Sequence, residues 1–145
     1  MKIAFAKPGL RATGVVVVSA GAGSKLSASA AKLDKKSGGA LSRAIRASSF
    51  EGKKGHSLNV LALAGTKLDE VMIVGLGKPG DITELEMQRL GGRIYAGTKQ
   101  AKKGSVTVAV DAVTDAKITA ADIATEIAYG AKLRSYRFDK YRTKL

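Results

Sequence analysis

The residues of this chain that most resemble a reactive site form the glycine-rich run Gly75-Leu-Gly77-Lys-Pro-Gly80, which follows a predicted buried strand. Its G-x-G-x-x-G spacing is the one with which glycines let a backbone approach a pyrophosphate at a helix N-terminus. Asp111 ends the next predicted strand and is a candidate ribose ligand. Two features favour a tight strand-to-helix turn instead. Pro79 has no amide to donate, and the following helix is predicted to be capped only at Thr83.

Other residue types that carry catalysis are present without the spacing that catalysis needs. His56 is the only histidine and the chain has no cysteine, which excludes two-histidine and thiolate metal sites; a solvated loop histidine is the predicted role. No serine has the G-x-S-x-G context of a nucleophile elbow; those considered are Ser19, Ser24, Ser27 and Ser29. The carboxylates fall into three groups, Asp69-Glu70, Asp81/Glu84/Glu86 and Asp111/Asp115. None is a convincing two-metal cluster, so we predict no catalytic, metal-binding or cofactor-binding residue.

A second short motif, Gly52-Lys-Lys-Gly55, matches the GXXG loop with which KH domains clamp a nucleic-acid backbone. That loop requires a helix on both sides, and here a strand is predicted to follow. The motif therefore predicts a lysine-bearing surface turn.

The composition predicts one folded, basic domain. The 145 residues are 45% hydrophobic and carry a net charge of +13, which is enough chain for a real core. The charge divides into +9 over residues 1–56, −1 over residues 57–131 and +5 over residues 132–145. Because the lysines are scattered rather than concentrated on one element, we predict at most weak, non-specific nucleic-acid binding. No stretch is apolar enough to span a membrane, and the N-terminus only loosely mimics a signal peptide.

The elements that must position these residues alternate between strands and helices. An edge strand is predicted over residues 1–6, and a strand buried on both faces over residues 14–19. Two short helices follow, one containing Leu26 to Leu33 and one over residues 40–47, and then two neighbouring strands, residues 57–63 and 70–75, near enough to form a hairpin. This order predicts an α/β layered sheet, and the hairpin makes the sheet mixed rather than all parallel.

Two helix starts can be placed from capping residues. Thr83-Glu-Leu-Glu86 is a capping box that begins a long helix to about Lys102, in which Gly91, Gly92 and Gly97 would allow a neighbour to approach closely. A strand is predicted over residues 105–110, and Thr119-Ala-Ala-Asp122 caps a last helix toward Tyr136.

The C-terminal stretch holds three of the seven aromatic residues and ends the chain as given. Taken alone it is either a solvated tail or a connector to a second domain. Its run Tyr136-Arg-Phe-Asp139-Lys-Tyr141 resembles the junction between the two domains of leucyl (cytosol) aminopeptidases. Four upstream pieces resemble the N-terminal domain of the same family in the same order: Gly38-Gly-Ala-Leu-Ser-Arg43, Phe50-Glu-Gly-Lys-Lys-Gly55, Val71-Met-Ile-Val-Gly-Leu-Gly77-Lys and Gly91-Gly92.

The resemblance implies a three-layer α/β/α fold similar to macro domains, with residues 1–133 as the N-terminal domain and residues 134–145 as the start of the connector. It implies no cofactor in this chain and a non-catalytic accessory role. The parent enzyme would be a cytoplasmic homohexamer that removes N-terminal amino acids with two divalent metals, zinc or manganese. The family's metal-binding stretch, which resembles Asn-Thr-Asp-Ala-Glu-Gly-Arg, has no match here, so no catalytic residue is carried over, and whether this chain alone is an enzyme stays open. The fragment is expected to be a monomer.

An alternative of a different class is a binding module. Because macro-type folds hold ADP-ribose and some bacterial aminopeptidases of this family bind DNA, the resemblance also allows a nucleotide, ADP-ribose or nucleic-acid ligand. The basic first third of the chain suits such a ligand.

Overall fold

The computed structural model describes residues 3–5, 13–99 and 105–144, with residues 137–144 as backbone only. The central strand of its sheet, β1, contains a run of four buried valines at positions 15–18. In chain order the elements are β1 Thr13–Gly21, β2 Lys25–Leu26, α1 Ala28–Lys36, α2 Ala40–Arg46, β3 Ser57–Leu61, β4 Lys67–Gly77, a 3-10 turn at Pro79–Asp81, α3 Glu84–Thr98, β5 Val106–Val108 and α4 Ala120–Lys144.

The sheet is mixed, as the sequence predicted. β1 pairs with β4 in parallel along one edge, and along its other edge it pairs with β5 in parallel and with β2 antiparallel. The predicted hairpin is confirmed, because β3 pairs antiparallel with β4. The strand order is therefore β2-β1-β4-β3, with β5 also beside β1.

Helices cover both faces of this sheet and form the predicted three layers. Val16 and Val18 of β1 lie in one core with Leu33 of α1 and Leu41 of α2. The alternate residue, Val17, lies in a second core with side chains of α3 and α4, namely Met87, Leu90, Ile94, Ile123 and Ile127. Because successive strand residues face opposite sides, a strand buried on both faces must be apolar at every position. This explains the unbroken valine run.

Gly91 of α3 confirms the prediction of a close helix contact, whereas Gly92 has only ordinary contacts and Gly97 faces the Met72 side chain. A methyl group at Gly91 would lie 2.0 Å from the Ile127 carbonyl oxygen, and one at Gly130 would lie 1.8 Å from the Gln88 carbonyl oxygen. Only glycine permits backbones to approach this closely. The backbones of the two helices therefore touch where Gly91 meets Ile127 and where Gly130 meets Gln88.

Several predicted boundaries differ from the structure. Of the first predicted strand, residues 3–5 are exposed and outside any strand, and the rest lies outside the described residues. Helix α3 ends at Thr98 rather than near Lys102, and Lys102 is itself outside the described residues. α4 continues unbroken across the predicted domain boundary at residue 134, and that boundary stays a prediction. Within the described ranges, no helix is both long and apolar enough to cross a membrane.

Candidate functional site

The carboxyl ends of the parallel strands β1 and β4 border a cleft. Its volume is about 600 Å³, and it is lined by Ala22, Gly23, Ser24, Glu51, Lys53, Lys54, Gly77, Lys78 and Asp81. Ligands of open α/β sheets bind outside the carboxyl ends of the strands. The location therefore makes this cleft the candidate site, and residues of both glycine motifs line it.

The Gly52–Gly55 motif is built into the fold at the edge of the cleft. Gly77 N–H donates to the Gly52 carbonyl at 2.9 Å. Gly52 has a φ of +76°, and a methyl group there would lie 2.0 Å from the Gly21 carbonyl oxygen. Gly55 has a φ of +86° in open space. The first glycine therefore permits backbone contact with β1, and the motif is the predicted surface turn.

His56 stabilises the same loop. Its Nδ1 accepts a hydrogen bond of 3.1 Å from Glu51 N–H, and its ring lies 6.1 Å from the Phe50 ring at a 59° angle. The predicted solvated histidine is thus half-buried, with a hydrogen bond and a ring contact that hold the loop.

Three amides of the Gly75–Gly80 run, those of Gly75, Gly77 and Lys78, donate within the protein. Gly75 N–H bonds to the His56 carbonyl at 2.9 Å, and Lys78 N–H bonds to Asp81 Oδ2 at 3.0 Å. A methyl group at Gly77, whose φ is +75°, would lie 2.5 Å from Asp81 Oδ2. The glycine and the aspartate therefore close a tight turn, as the sequence favoured, and a carboxylate stands where a phosphate would need donors.

The backbone amides of the loop after β1 also donate to acceptors within the protein. Ala22 N–H donates to the Gly77 carbonyl at 3.0 Å, and Gly23 and Ser24 N–H both donate to the Glu51 carbonyl, at 3.0 and 3.2 Å. Ser24 has a positive φ of 60°, unusual for a residue with a side chain, and its hydroxyl donates to the Phe50 carbonyl at 3.3 Å. These bonds hold the loop against the end of β4 and against the segment that contains Phe50 and Glu51.

Asp111, the candidate ribose ligand, lies away from the cleft lining. Its Oδ2 accepts from Ser29 N–H at 3.0 Å, and its Oδ1 accepts from the Ser29 hydroxyl at 2.9 Å. Ser27 is the N-cap of the same helix and accepts from Ala30 N–H. Asp111 and Ser27 together satisfy free amides at the start of α1. The carboxylate of Asp111 therefore caps the N-terminus of α1.

Other carboxylates of the chain accept hydrogen bonds within the protein, from the backbone or from side chains. Asp34 accepts from the amide and the hydroxyl of Ser42, at 2.8 and 2.6 Å. Asp122 and Thr119 cap α4 reciprocally, and Glu70 accepts from Asn59. Ser19 is buried in β1. In the described part of the chain, no three His, Asp or Glu side chains converge into a group able to hold a metal ion.

The cleft has mixed charge. Lys53, Lys54 and Lys78 contribute three positive charges, and Glu51 and Asp81 contribute two negative ones. Lys53 Nζ lies 3.7 Å from Glu51 Oε2, and both side chains are well exposed. An exposed ion pair of this kind contributes little to stability. Because its lining has three positive and two negative charges, the cleft attracts anions only weakly.

Comparison with known proteins identifies the chain's relatives. Residues 15–145 match the model described as "Cytosol aminopeptidase family, N-terminal domain". A probable cytosol aminopeptidase of Rhodopseudomonas palustris is 35% identical over 99% of this chain, and one of Chelativorans sp. is 36% identical over 98%. The chain spans only 28% of the length of either relative.

A solved structure shows the same fold. A variant of tomato leucine aminopeptidase superposes with a TM-score of 0.54 at 23% identity, over 83% of this chain and 25% of that one. At this identity the likeness concerns the fold, and the family rests on the sequence match over residues 15–145. This chain belongs to the cytosol aminopeptidase family and corresponds to its N-terminal domain.

Proposed function

We propose that this chain is a non-catalytic accessory domain of a leucyl aminopeptidase. The parent polypeptide would release N-terminal amino acids from peptides with two divalent metals, zinc or manganese, as the resemblance implies. The observation that carries the proposal is the family match over residues 15–145, combined with relatives of which this chain spans 28%. The rest of such a polypeptide has ample length for a catalytic domain.

The contacts of the carboxylates support a non-catalytic role for this domain. Asp34, Asp81, Asp111 and Asp122 each accept backbone amide hydrogen bonds. A carboxylate held in this way already has donors and is poorly placed to bind a metal as well. The described residues do not fit a metal pair, so we place the metals in the remainder of the parent enzyme.

The setting and assembly of the parent are part of the same proposal. The relatives are called cytosol aminopeptidases, which favours the cytoplasm. The resemblance implies a homohexamer assembled through the catalytic domains. This chain alone is then expected to be a monomer.

A chimera tests the proposal. The chain would replace the corresponding N-terminal quarter of the Rhodopseudomonas palustris relative. We expect metal-dependent release of leucine from leucyl-p-nitroanilide by the chimera, and no release by this chain alone with zinc or manganese. Activity of the chain alone, free of contaminating peptidases, would contradict the accessory role. An inactive chimera beside an active parent would contradict the assignment to this position.

A second candidate function is binding of an anionic ligand such as ADP-ribose or a nucleotide in the cleft. Three lysines line the cleft at the carboxyl end of the sheet, which favours this function. It ranks below the first, because the loop amides that would hold a pyrophosphate donate to Glu51, Gly52, His56, Gly77 and Asp81.

A further inference from the structure

His56 connects the two ends of the loop of residues 50–56, which borders the cleft. Its backbone carbonyl accepts from Gly75 N–H of β4 at 2.9 Å. Its side chain holds the start of the loop, because Nδ1 accepts from Glu51 N–H at 3.1 Å and the ring contacts Phe50, a core residue. One side chain thus joins the beginning of loop 50–56 to its end and, through β4, to the sheet.

The carbonyl groups of loop 50–56 occupy the amides of the neighbouring turns. The Glu51 carbonyl accepts from Gly23 and Ser24 N–H, and the Gly52 carbonyl accepts from Gly77 N–H at 2.9 Å. Gly23, Ser24 and Gly77 line the cleft and follow or end the strands β1 and β4, where open α/β sheets bind ligands. The position of the loop therefore decides whether these amides are available.

The bond between Glu51 and His56 requires a neutral imidazole. An acceptor nitrogen must offer a lone pair, whereas a protonated histidine donates from both ring nitrogens. Protonation of Nδ1 therefore turns the attraction into a repulsive meeting of two N–H groups. Histidine is the side-chain type whose ordinary charge change falls between about pH 5 and 8, so mild acid is sufficient to bring this change about.

The charged groups around loop 50–56 make a positive His56 unfavourable while the loop is in place. The strands β1 and β3, and residues 71–77 of β4, contribute no charge. The neighbouring elements and the loop itself contribute five cations and two anions, namely Lys25, Arg46, Lys53, Lys54, Lys78, Glu51 and Asp81. The nearest carboxylate in the loop, that of Glu51, already lies 3.7 Å from Lys53 Nζ. An imidazolium is therefore better accommodated in water than in the closed loop.

We propose that His56 is a pH-sensitive latch, a side chain that holds loop 50–56 in place only while it is neutral. A proton on Nδ1 releases the Glu51 amide, and the loop then loosens from the turns after β1 and β4. The order of the loop is thus complete at neutral and alkaline pH and decreases as the pH falls. The latch acts within this domain and requires nothing of the parent enzyme.

Amide hydrogen exchange at about pH 7.5 and 5.5 tests the latch, with each rate divided by that of an unstructured peptide. We expect the protection of the Glu51 amide to fall by about tenfold at the lower pH, the size of one net hydrogen bond. The Gly23 and Ser24 amides should lose protection with it. The Ala62 amide, which donates to the Asp69 carbonyl at the other end of β3, is the internal control and should keep its protection.

The titrating group can be identified directly. His56 is the only histidine, so its Cε1–H resonance reports its protonation, and the Glu51 amide shift should follow it with the same midpoint. His56→Asn keeps an acceptor oxygen near the place of Nδ1 without titrating, and its Glu51 amide should be equally protected at both pH values. His56→Phe keeps the ring beside Phe50 without the acceptor and should be poorly protected at both. Glu51→Gln removes the carboxylate of the loop and should keep the wild-type pH response.

Equal protection of the Glu51 amide at both pH values in the wild-type chain would overturn the latch, even where a variant fails to fold. A pH response that survives in His56→Asn, or that Glu51→Gln abolishes, would also overturn it, because the titrating group would then lie elsewhere. Loss of protection at Ala62 together with Glu51 would mean that the whole domain unfolds, and would contradict a local loosening of the loop.

Discussion

Ser29 and Asp111, 82 positions apart in the chain, are joined by two hydrogen bonds of 3.0 and 2.9 Å. The first comes from a backbone amide in the opening turn of α1, and the second from the serine hydroxyl. Asp111 lies just after β5, so the pair ties a helix of one outer layer to the end of a strand that pairs with β1. A carboxylate at a helix N-terminus is also favoured by the helix dipole.

Replacing this carboxylate should lower stability. We expect Asp111→Asn to reduce the free energy of unfolding by about 1–2 kcal/mol, because an amide cannot accept both Ser29 bonds. Asp115→Asn is the matched control: Asp115 is exposed, and its φ of 68° suits asparagine. Urea denaturation of the two variants measures the difference. Equal midpoints would show that the Ser29–Asp111 pair contributes nothing.

Adjacent glycines of α3 should respond to alanine with opposite signs. Gly91→Ala places a methyl group 2.0 Å from the Ile127 carbonyl, and we expect a loss of about 1–3 kcal/mol as the helices separate. At Gly92 the nearest atoms lie 3.8 and 3.9 Å from the new methyl. Gly92→Ala should therefore stabilise by up to about 1 kcal/mol through helix propensity. Thermal unfolding of both decides, and a loss at both positions would refute the packing argument.

The two glycines of the Gly52–Gly55 motif should also differ. Gly52→Ala combines a positive φ with a contact of 2.0 Å to the Gly21 carbonyl, and we expect it to cost about 3 kcal/mol or more. Gly55→Ala has the positive φ without a neighbour within 4 Å, and should cost about 1–2 kcal/mol. Chemical denaturation compares them. A Gly55 variant as unstable as the Gly52 variant would mean that backbone strain alone matters.

Local patterns predicted most of the fold. The valine run of β1, the Thr83 and Thr119 caps and the close approach at Gly91 depend on residue periodicity or on neighbours a few positions away. The roles of Asp111 and His56, and the close contact at Gly130, depend on partners that only the fold brings together. Asp111 looked like a ligand because a carboxylate at a strand end is equally suited to a ribose and to a helix amide. The sequence contains no sign that Ser29 would be its neighbour.

Nucleotides should bind poorly. The amides of Ala22, Gly23, Ser24, Gly75 and Lys78 donate to protein acceptors, and breaking such bonds to free the amides would offset the gain from a pyrophosphate. We expect no saturable binding of ADP-ribose at micromolar concentration. Titration followed by amide chemical shifts is the measurement, with AMP as the comparison ligand. Localised, saturating shifts in residues 21–24 and 75–80 would favour the binding-module hypothesis over the accessory domain.

Binding to nucleic acid should be weak, independent of sequence and sensitive to salt. The chain carries a net charge of +13, with +9 in residues 1–56, and these charges attract phosphates. Release of counterions makes such binding steeply dependent on salt. Base readout has little support, because the chain has only seven aromatic residues and three of them lie after residue 135.

Titration of two labelled DNA duplexes of different sequence, at about 0.05 and 0.2 M salt, measures both properties. We expect equal affinities for the two duplexes and a loss of at least tenfold at the higher salt. The charge-reversed variant Lys53→Glu/Lys54→Glu, at exposed positions beside the cleft, should weaken binding to both duplexes equally, because it removes phosphate attraction without altering base contacts. Tight binding that persists at the higher salt, or a preference for one duplex, would require a dedicated recognition surface and contradict the electrostatic account.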